Sequence, residues 1–138
     1  MKDVELPLRK AYVAALAGIS CPVYYQQLPS DISVDEYVLI TIPTSADDST
    51  KTISGTDTTV RVGIYTHSEN GNNGVASATI ANAIYAAILP TPSATLPLDN
   101  LQMLTTVLRS DNTESFTIKN SIVYIDRFIN FTHKINHK

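Results

Sequence analysis

The most informative pattern in the chain runs from Thr59 to Leu89, TVRVGIYTHSENGNNGVASATIANAIYAAIL. Its first third alternates. Val60, Val62 and Ile64 point one way while Thr59, Arg61, Gly63 and Tyr65 point the other, which predicts a half-buried strand. The middle, His67 to Gly74, is almost wholly polar and holds Asn-Gly and Asn-Asn-Gly, residues that tolerate the positive φ of tight turns. From Val75 the period lengthens to that of a helix. Ala76, Ile80, Ile84 and Ile88 fall on one face, widened by Ala83 and Ala87. Asn73 is placed to cap this helix, and Pro90 and Pro92 forbid its continuation.

The flanking segments supply the other elements. Leu6 to Gly18 predicts a first helix, with Pro7 tolerated in the first turn and Leu8, Ala11, Tyr12, Ala15, Leu16 and Ile19 as the buried stripe. Val23 to Gln26 is a short strand, and Tyr37 to Ile42 (YVLITI), the most apolar run, predicts a central one. Between it and Thr59 lies PTSADDSTKTISGTD, rich in Ser, Thr and Asp. It reads as a long exposed loop or loose hairpin over 44–58, mobile in a free subunit and ordered on assembly, because it has little to bury. Leu101 to Leu108 fits a strand, although 98–109 also passes for helix. Phe116 to about Phe131 reads as one long alternating strand with a bend near Asp126-Arg127, followed by a polar tail, His133 to Lys138.

This order predicts a single α+β domain over 1–138: a mainly antiparallel sheet of about five strands with two helices packed on one face. Apolar side chains on both faces of Tyr37–Ile42 and Phe116–Phe131 exceed what two helices cover, which points to burial against other subunits.

Composition narrows the function. With 10 Lys+Arg against 13 Asp+Glu and a net charge of −3, the 138-residue chain has no basic excess for autonomous nucleic-acid binding. Only 17% of residues are charged, which fits either a surface that a partner can desolvate cheaply or a source that simply favours uncharged polar residues. No apolar run approaches a membrane span, and the start MKDVELP lacks the apolar core of a signal peptide, so neither insertion nor export is expected. A single cysteine, Cys21, allows no internal disulfide and fits a reducing compartment.

Catalytic signatures are hard to find. His133 and His137 have a helical metal-ligand spacing but fall in the expected tail, where solvation is the simpler reading. His67 adjoins Ser68 and Glu69, yet adjacent residues do not converge on one reacting atom. Asp47-Asp48 lacks the spacing of a calcium loop, and 70–74 (NGNNG) lacks the lysine of a phosphate loop. Cys21 before Pro22 reads as a semi-buried thiol. The tyrosines at 12, 24, 25, 37, 65, 85 and 124 are spread over every element, as suits core edges and interfaces. No catalytic, cofactor-binding or metal residue is therefore assigned.

The order of elements resembles the tail terminator, or tail-completion, proteins of long-tailed bacteriophages. The likeness covers most of the chain. It rests on the opening helix, the Pro22-Val23-Tyr24-Tyr25 strand, Leu28-Pro29 and the Tyr37–Ile40 strand. The Val60–Thr66 strand (VRVGIYT) then runs through a Gly/Asn/Ser loop into the Ala76–Leu89 helix. An Arg109-Ser110-Asp111 turn leads to the long closing strand, where the family keeps its last β-hairpin. The polar stretch 44–58 and the tail beyond Phe131 depart from the pattern.

The resemblance implies a non-enzymatic structural virion protein, a hexameric ring at the neck or head-proximal end of the tail. Such a ring joins tail to head, contacting its own copies and the head-completion or tail-tube proteins, and DNA crosses it without sequence-specific binding. No cofactor and no membrane are implied; the protein would be made in the host cytoplasm and reside in the virion. The expected interface residues are Asp47, Asp48, Lys51, Arg61, His67, Glu69, Asn70, Arg109 and Asp111. The rival reading is a small intracellular α+β enzyme or ligand-binding protein with Tyr65, His67 and Cys21 lining a pocket.

Overall fold

The Val60/Val62/Ile64 alternation forms the middle of the sheet. A computed structural model describes residues 4–29, 34–47, 55–68, 75–99, 101–109 and 112–137. Among them are two helices, α1 (Glu5–Ala15) and α2 (Val75–Ile88). The strands are β1 (Val23–Tyr25), β2 (Glu36–Asp47), β3 (Gly55–Ser68), β4 (Gln102–Leu108), β5 (Thr113–Lys119) and β6 (Ile122–Asn136). The fold is α+β, as the sequence predicts, but the sheet has six strands and is mixed, because β1 pairs parallel to β2. All other pairings are antiparallel.

β3 and β6 pair along their whole length, from Gly55↔Asn136 to Ser68↔Val123. The outer edge of β6 is shared in succession, by β5 over 122–128 and by β4 over 131–136. Asn112 closes the gap between them. Its Oδ1 accepts from the Asn130 N–H and its Nδ2 donates to the Arg109 carbonyl, both at 2.8 Å, while the Arg109 N–H donates to the Asn130 carbonyl at 2.9 Å. The backbone of β6 is thus satisfied where its partner changes.

Three expectations need correction. The stretch Phe116–Phe131 is two strands, because the chain reverses at Asn120-Ser121, where φ is 54° and 66°. Positive φ at both central residues is the hairpin geometry that matches strand twist. Asn-Ser is a weak signal for it and the alternation runs straight through, so pattern alone does not reveal the turn. No register shift, and so no bulge, falls at Asp126-Arg127; the register shifts lie at Thr41/Thr44, beside Pro43, and at Met103/Thr105. Pro43 is tolerated because β1 covers only 38–40 of β2 and leaves that edge open. Of 44–58, the ends continue the β2–β3 ladder as far as Asp47↔Thr56, and 48–54 lie outside the described residues, as does Asn73.

Both helices cover one face. Leu8, Ala11, Tyr12 and Leu16 of the first helical region and Ile80, Ala81, Ile84 and Ile88 of α2 pack on Val38, Ile40, Val60, Val62, Ile64, Ile129, Phe131 and Ile135. The α2 stripe is turned from the expected one: Ser77 and Ala81 are buried, Ala83 is exposed. Alanine flanks the isoleucines on both sides, so only the sheet decides which side is covered. The Ser77 hydroxyl is buried without a hydrogen-bond partner.

The third correction concerns the C-terminal segment. Residues 132–136 continue β6, and His133 is fully buried against α1. Tyr12 OH bonds to His133 Nε2, Thr106 Oγ1 lies 3.0 Å from Nδ1, and Thr106 donates to Met103 Sδ at 3.2 Å. These contacts fix the proton order. Burial holds the Tyr12 phenol well above its ordinary pKa, so it stays protonated and donates to Nε2. His133 therefore carries its proton on Nδ1, donates to Thr106, and Thr106 donates to sulfur. His137 is also buried, its Nε2 bonded to Thr56 Oγ1. Neither histidine is part of a solvated tail.

Two outcomes follow from this core. Ile84→Ala should cost about 2–5 kcal/mol in a denaturant melt, since Ile84 is fully buried between helix and sheet; an unchanged midpoint would remove α2 from the core. Desolvation lowers His133 from 6.5 to about 4, so the unfolded chain takes up a proton that the native chain refuses. This group leaves stability untouched above pH 6.5, and stability falls as pH drops from 6.5 to 4, by on the order of 3 kcal/mol in all. Asp126, whose carboxyl is raised, works in the opposite sense near the bottom of that window. The test is therefore the difference in pH slope between wild type and His133→Gln, and equal slopes would contradict the buried neutral histidine.

Candidate interaction face

Among the described residues no helix covers the opposite face of the sheet, and strand parity decides what stands on it. Outward positions of β3 are Arg61, Gly63, Tyr65 and His67, and register sets Asn130, Phe128, Asp126 and Tyr124 of β6 beside them. β2 adds Tyr37 opposite Tyr65 and Leu39 opposite Gly63, and β1 adds Tyr24. The tyrosines that look scattered in sequence thus divide by face. Tyr12 and Tyr85 join the helix side, against His133 and Phe131, while Tyr24, Tyr37, Tyr65 and Tyr124 gather on the open side.

Their rings touch in series. Tyr24 meets Tyr37 edge-on at 6.1 Å, Tyr37 stacks on Tyr65 at 4.9 Å, and Tyr65 meets Phe128 edge-on at 5.9 Å. Arg61 caps the row, its guanidinium 5.8 Å from the Phe128 centroid and its Nε donating to Asn130 Oδ1 at 3.2 Å. Gly63 makes the row possible. A Cβ there would meet Tyr65 Cε2 at 2.9 Å and Phe128 Cε1 at 3.3 Å, so the missing side chain is the space the two rings occupy. Aromatic cover of a strand glycine also shields its backbone from water.

Beyond Tyr65 the face hollows into a cleft of about 240 Å³ lined by Val34, Tyr37, Tyr65, Thr66, His67, Tyr124 and Asp126. Desolvation raises the Asp126 carboxyl above its ordinary pKa. Desolvation first, and the Asp126 charge second, raise the Tyr37 and Tyr65 phenols. At the rim His67 Nε2 lies 3.2 Å from Asp35 Oδ1, and its ring lies 5.4 Å from Tyr124.

Of the expected interface residues, Arg61 and His67 stand on this face. Arg109 reaches its far end, with Nη1 3.5 Å from Thr132 Oγ1. The Asp47 backbone pairs with Thr56 at the tip of the β2–β3 ladder. Asp48, Lys51, Glu69, Asn70 and Asp111 lie outside the described residues. Sequence reasoning missed the aromatic row and Asp126; the odd-numbered positions of β3 were legible, but their β6 partners depend on a register no local pattern specifies. Cys21 packs on the helix-side core, its thiol pushed up chiefly by burial, and it does not line the cleft beside Tyr65 and His67. Among the described residues no three His, Cys, Asp or Glu side chains gather to hold a metal ion.

No protein-family model and no curated protein sequence matches the chain. Its fold does have solved counterparts. One is a chain from the virion of a native gene transfer agent particle, with a TM-score of 0.61 and 19% identity over 95% of this chain and 94% of that one. A second solved structure, which carries no functional description, has a TM-score of 0.56 and 11% identity over 96% of both chains. At these identities the likeness is one of fold.

Gly63 offers a direct check on the aromatic row. Gly63→Ala should weaken the near-ultraviolet dichroism of the stacked tyrosines at a cost of about 1 kcal/mol, because the obstructing atoms belong to side chains rather than backbone. Gly63→Val should cost about 1–3 kcal/mol. Unaltered dichroism in both variants would mean the rings do not depend on that space.

Proposed function

We propose that the protein is a structural subunit of a phage-like virion. It assembles as a hexameric ring at the neck or head-proximal end of the tail, joining tail to head around the channel that DNA crosses. The observation that carries this reading is the correspondence with the gene transfer agent virion chain. It extends over nearly the whole of both chains, so the likeness is between complete folds rather than a shared hairpin.

The surface supports it. A closed ring needs two different complementary patches on each subunit. β5 pairs only with β6 among the described strands, and its Phe116 and Ile118 are 62% and 74% exposed. They face the same way as Ile125 and Val123 but beyond the cover of the helices. On α1, Leu6 and Val13 are exposed on one helical face beside Arg9 and Lys10. Two separate exposed apolar patches, one on β5 and one on α1, suit head-to-tail contact. The net charge of −3 lets DNA pass without being held.

Light scattering after size exclusion, with negative-stain microscopy, tests the reading. Wild type should form rings at high concentration or with its head-completion and tail-tube partners. Phe116→Asp/Ile118→Asp and Leu6→Asp/Val13→Asp should each stay monomeric, yet form dimers when mixed, since each retains the patch the other lacks. A wild-type protein that stays monomeric under all these conditions would overturn the proposal.

A further inference from the structure

We infer that the cleft beside Asp126 is a binding site for a guanidinium group, the side chain of an arginine presented by a partner protein. The cleft holds a carboxylate with no cation beside it among the described residues. Asp126 stands on the open face, directly across from Tyr65 and between Tyr124 and Phe128 along its own strand. Among the described residues no cation pairs with it. Arg127 points to the other face and takes Glu114 at 3.4 Å, Arg61 is held by Asn130 and Phe128, and Arg109 reaches Thr132. Partial burial already raises the Asp126 carboxyl, so part of its hydration is lost before a cation arrives.

The walls select the kind of cation. Three tyrosine rings and His67 surround the cleft, whose volume of about 240 Å³ has room for a guanidinium together with the stem that carries it. A guanidinium is planar and weakly hydrated, stacks on aromatic faces and offers paired N–H donors to a carboxylate. A lysine ammonium matches the charge but holds its water more strongly and cannot stack. Asp35, at the rim with His67, adds a second negative charge at the entrance. The partner thus presents a basic side chain to this chain's acidic, aromatic cleft. The inference rests on the geometry of this face and is independent of the ring proposal.

Titrating the full chain with blocked arginine (N-acetyl-arginine methylamide), blocked lysine and blocked citrulline, followed by NMR, tests it. Blocked arginine should give saturable shifts at Tyr65, Tyr124 and Asp126 in the millimolar range, with blocked lysine several-fold weaker. Blocked citrulline, which keeps the shape and loses the charge, should give none. Asp126→Asn should weaken arginine binding about tenfold while the stacked-tyrosine dichroism is kept. Should that variant misfold, Tyr124→Ser serves as the second probe and should weaken arginine more than lysine. Equal affinity for arginine and lysine, shifts that never saturate, or full affinity in a folded variant would each overturn the assignment.

Discussion

β3 and β6 pair residue for residue along their whole length, and that ladder decides what every other part of the chain faces. Because side chains alternate, one register sends Val60, Val62, Ile64, Ile129, Phe131 and Ile135 to the helices and Arg61, Gly63, Tyr65, Asp126 and Phe128 to the open side. A slip of one residue would exchange the faces. If β6 slipped, Asp126 and Phe128 would turn to the helix side and Ile129, Phe131 and Ile135 would turn out of the core. The cost of that exchange is what fixes the pairing, and β1, β2, β4 and β5 are added to edges the ladder has already aligned.

The two faces are built on different physics. The helix side is mainly apolar, and four of its buried side chains bond in a chain, Tyr12 to His133 to Thr106 to Met103, with one proton order that suits all four. Such a chain ties α1 to β6 and β4 by direction as well as by area, and holds the end of the chain in the core. The open side is half wet. Its rings lie flat across the strands, with Gly63 supplying the space and Arg61 closing the row, so the surface is ordered before any partner arrives. A preordered aromatic surface loses little side-chain freedom on contact, which favours association.

The low charge of the chain acquires meaning on that surface. Among the described residues, Arg61 closes the aromatic row at Phe128 and Asp126 stands across from Tyr65. Single charges among rings give orientation to an interface whose affinity comes from apolar contact. The free edges of β4 and β5, with Val107, Phe116 and Ile118 exposed, add sites where further strands or side chains can be received.

The sequence by itself determined what short-range periodicity can encode. The Ile80/Ile84/Ile88 helix, the α1 stripe through Leu8 and Tyr12 and the alternation of β3 were all legible, because each is a repeat within one element. The class, α+β with both helices on one face, followed from their order. Tertiary structure alone decided the rest. Asn120-Ser121 turned one apparent strand into a hairpin because the partner strand supplied the contacts that hold two residues at positive φ. His133, polar and near the C-terminus, entered the core because Tyr12 and Thr106, distant in sequence, meet both its nitrogens. Tyr37, Tyr65 and Asp126 became neighbours only through cross-strand register, which is a property of pairs of strands and is written in neither one.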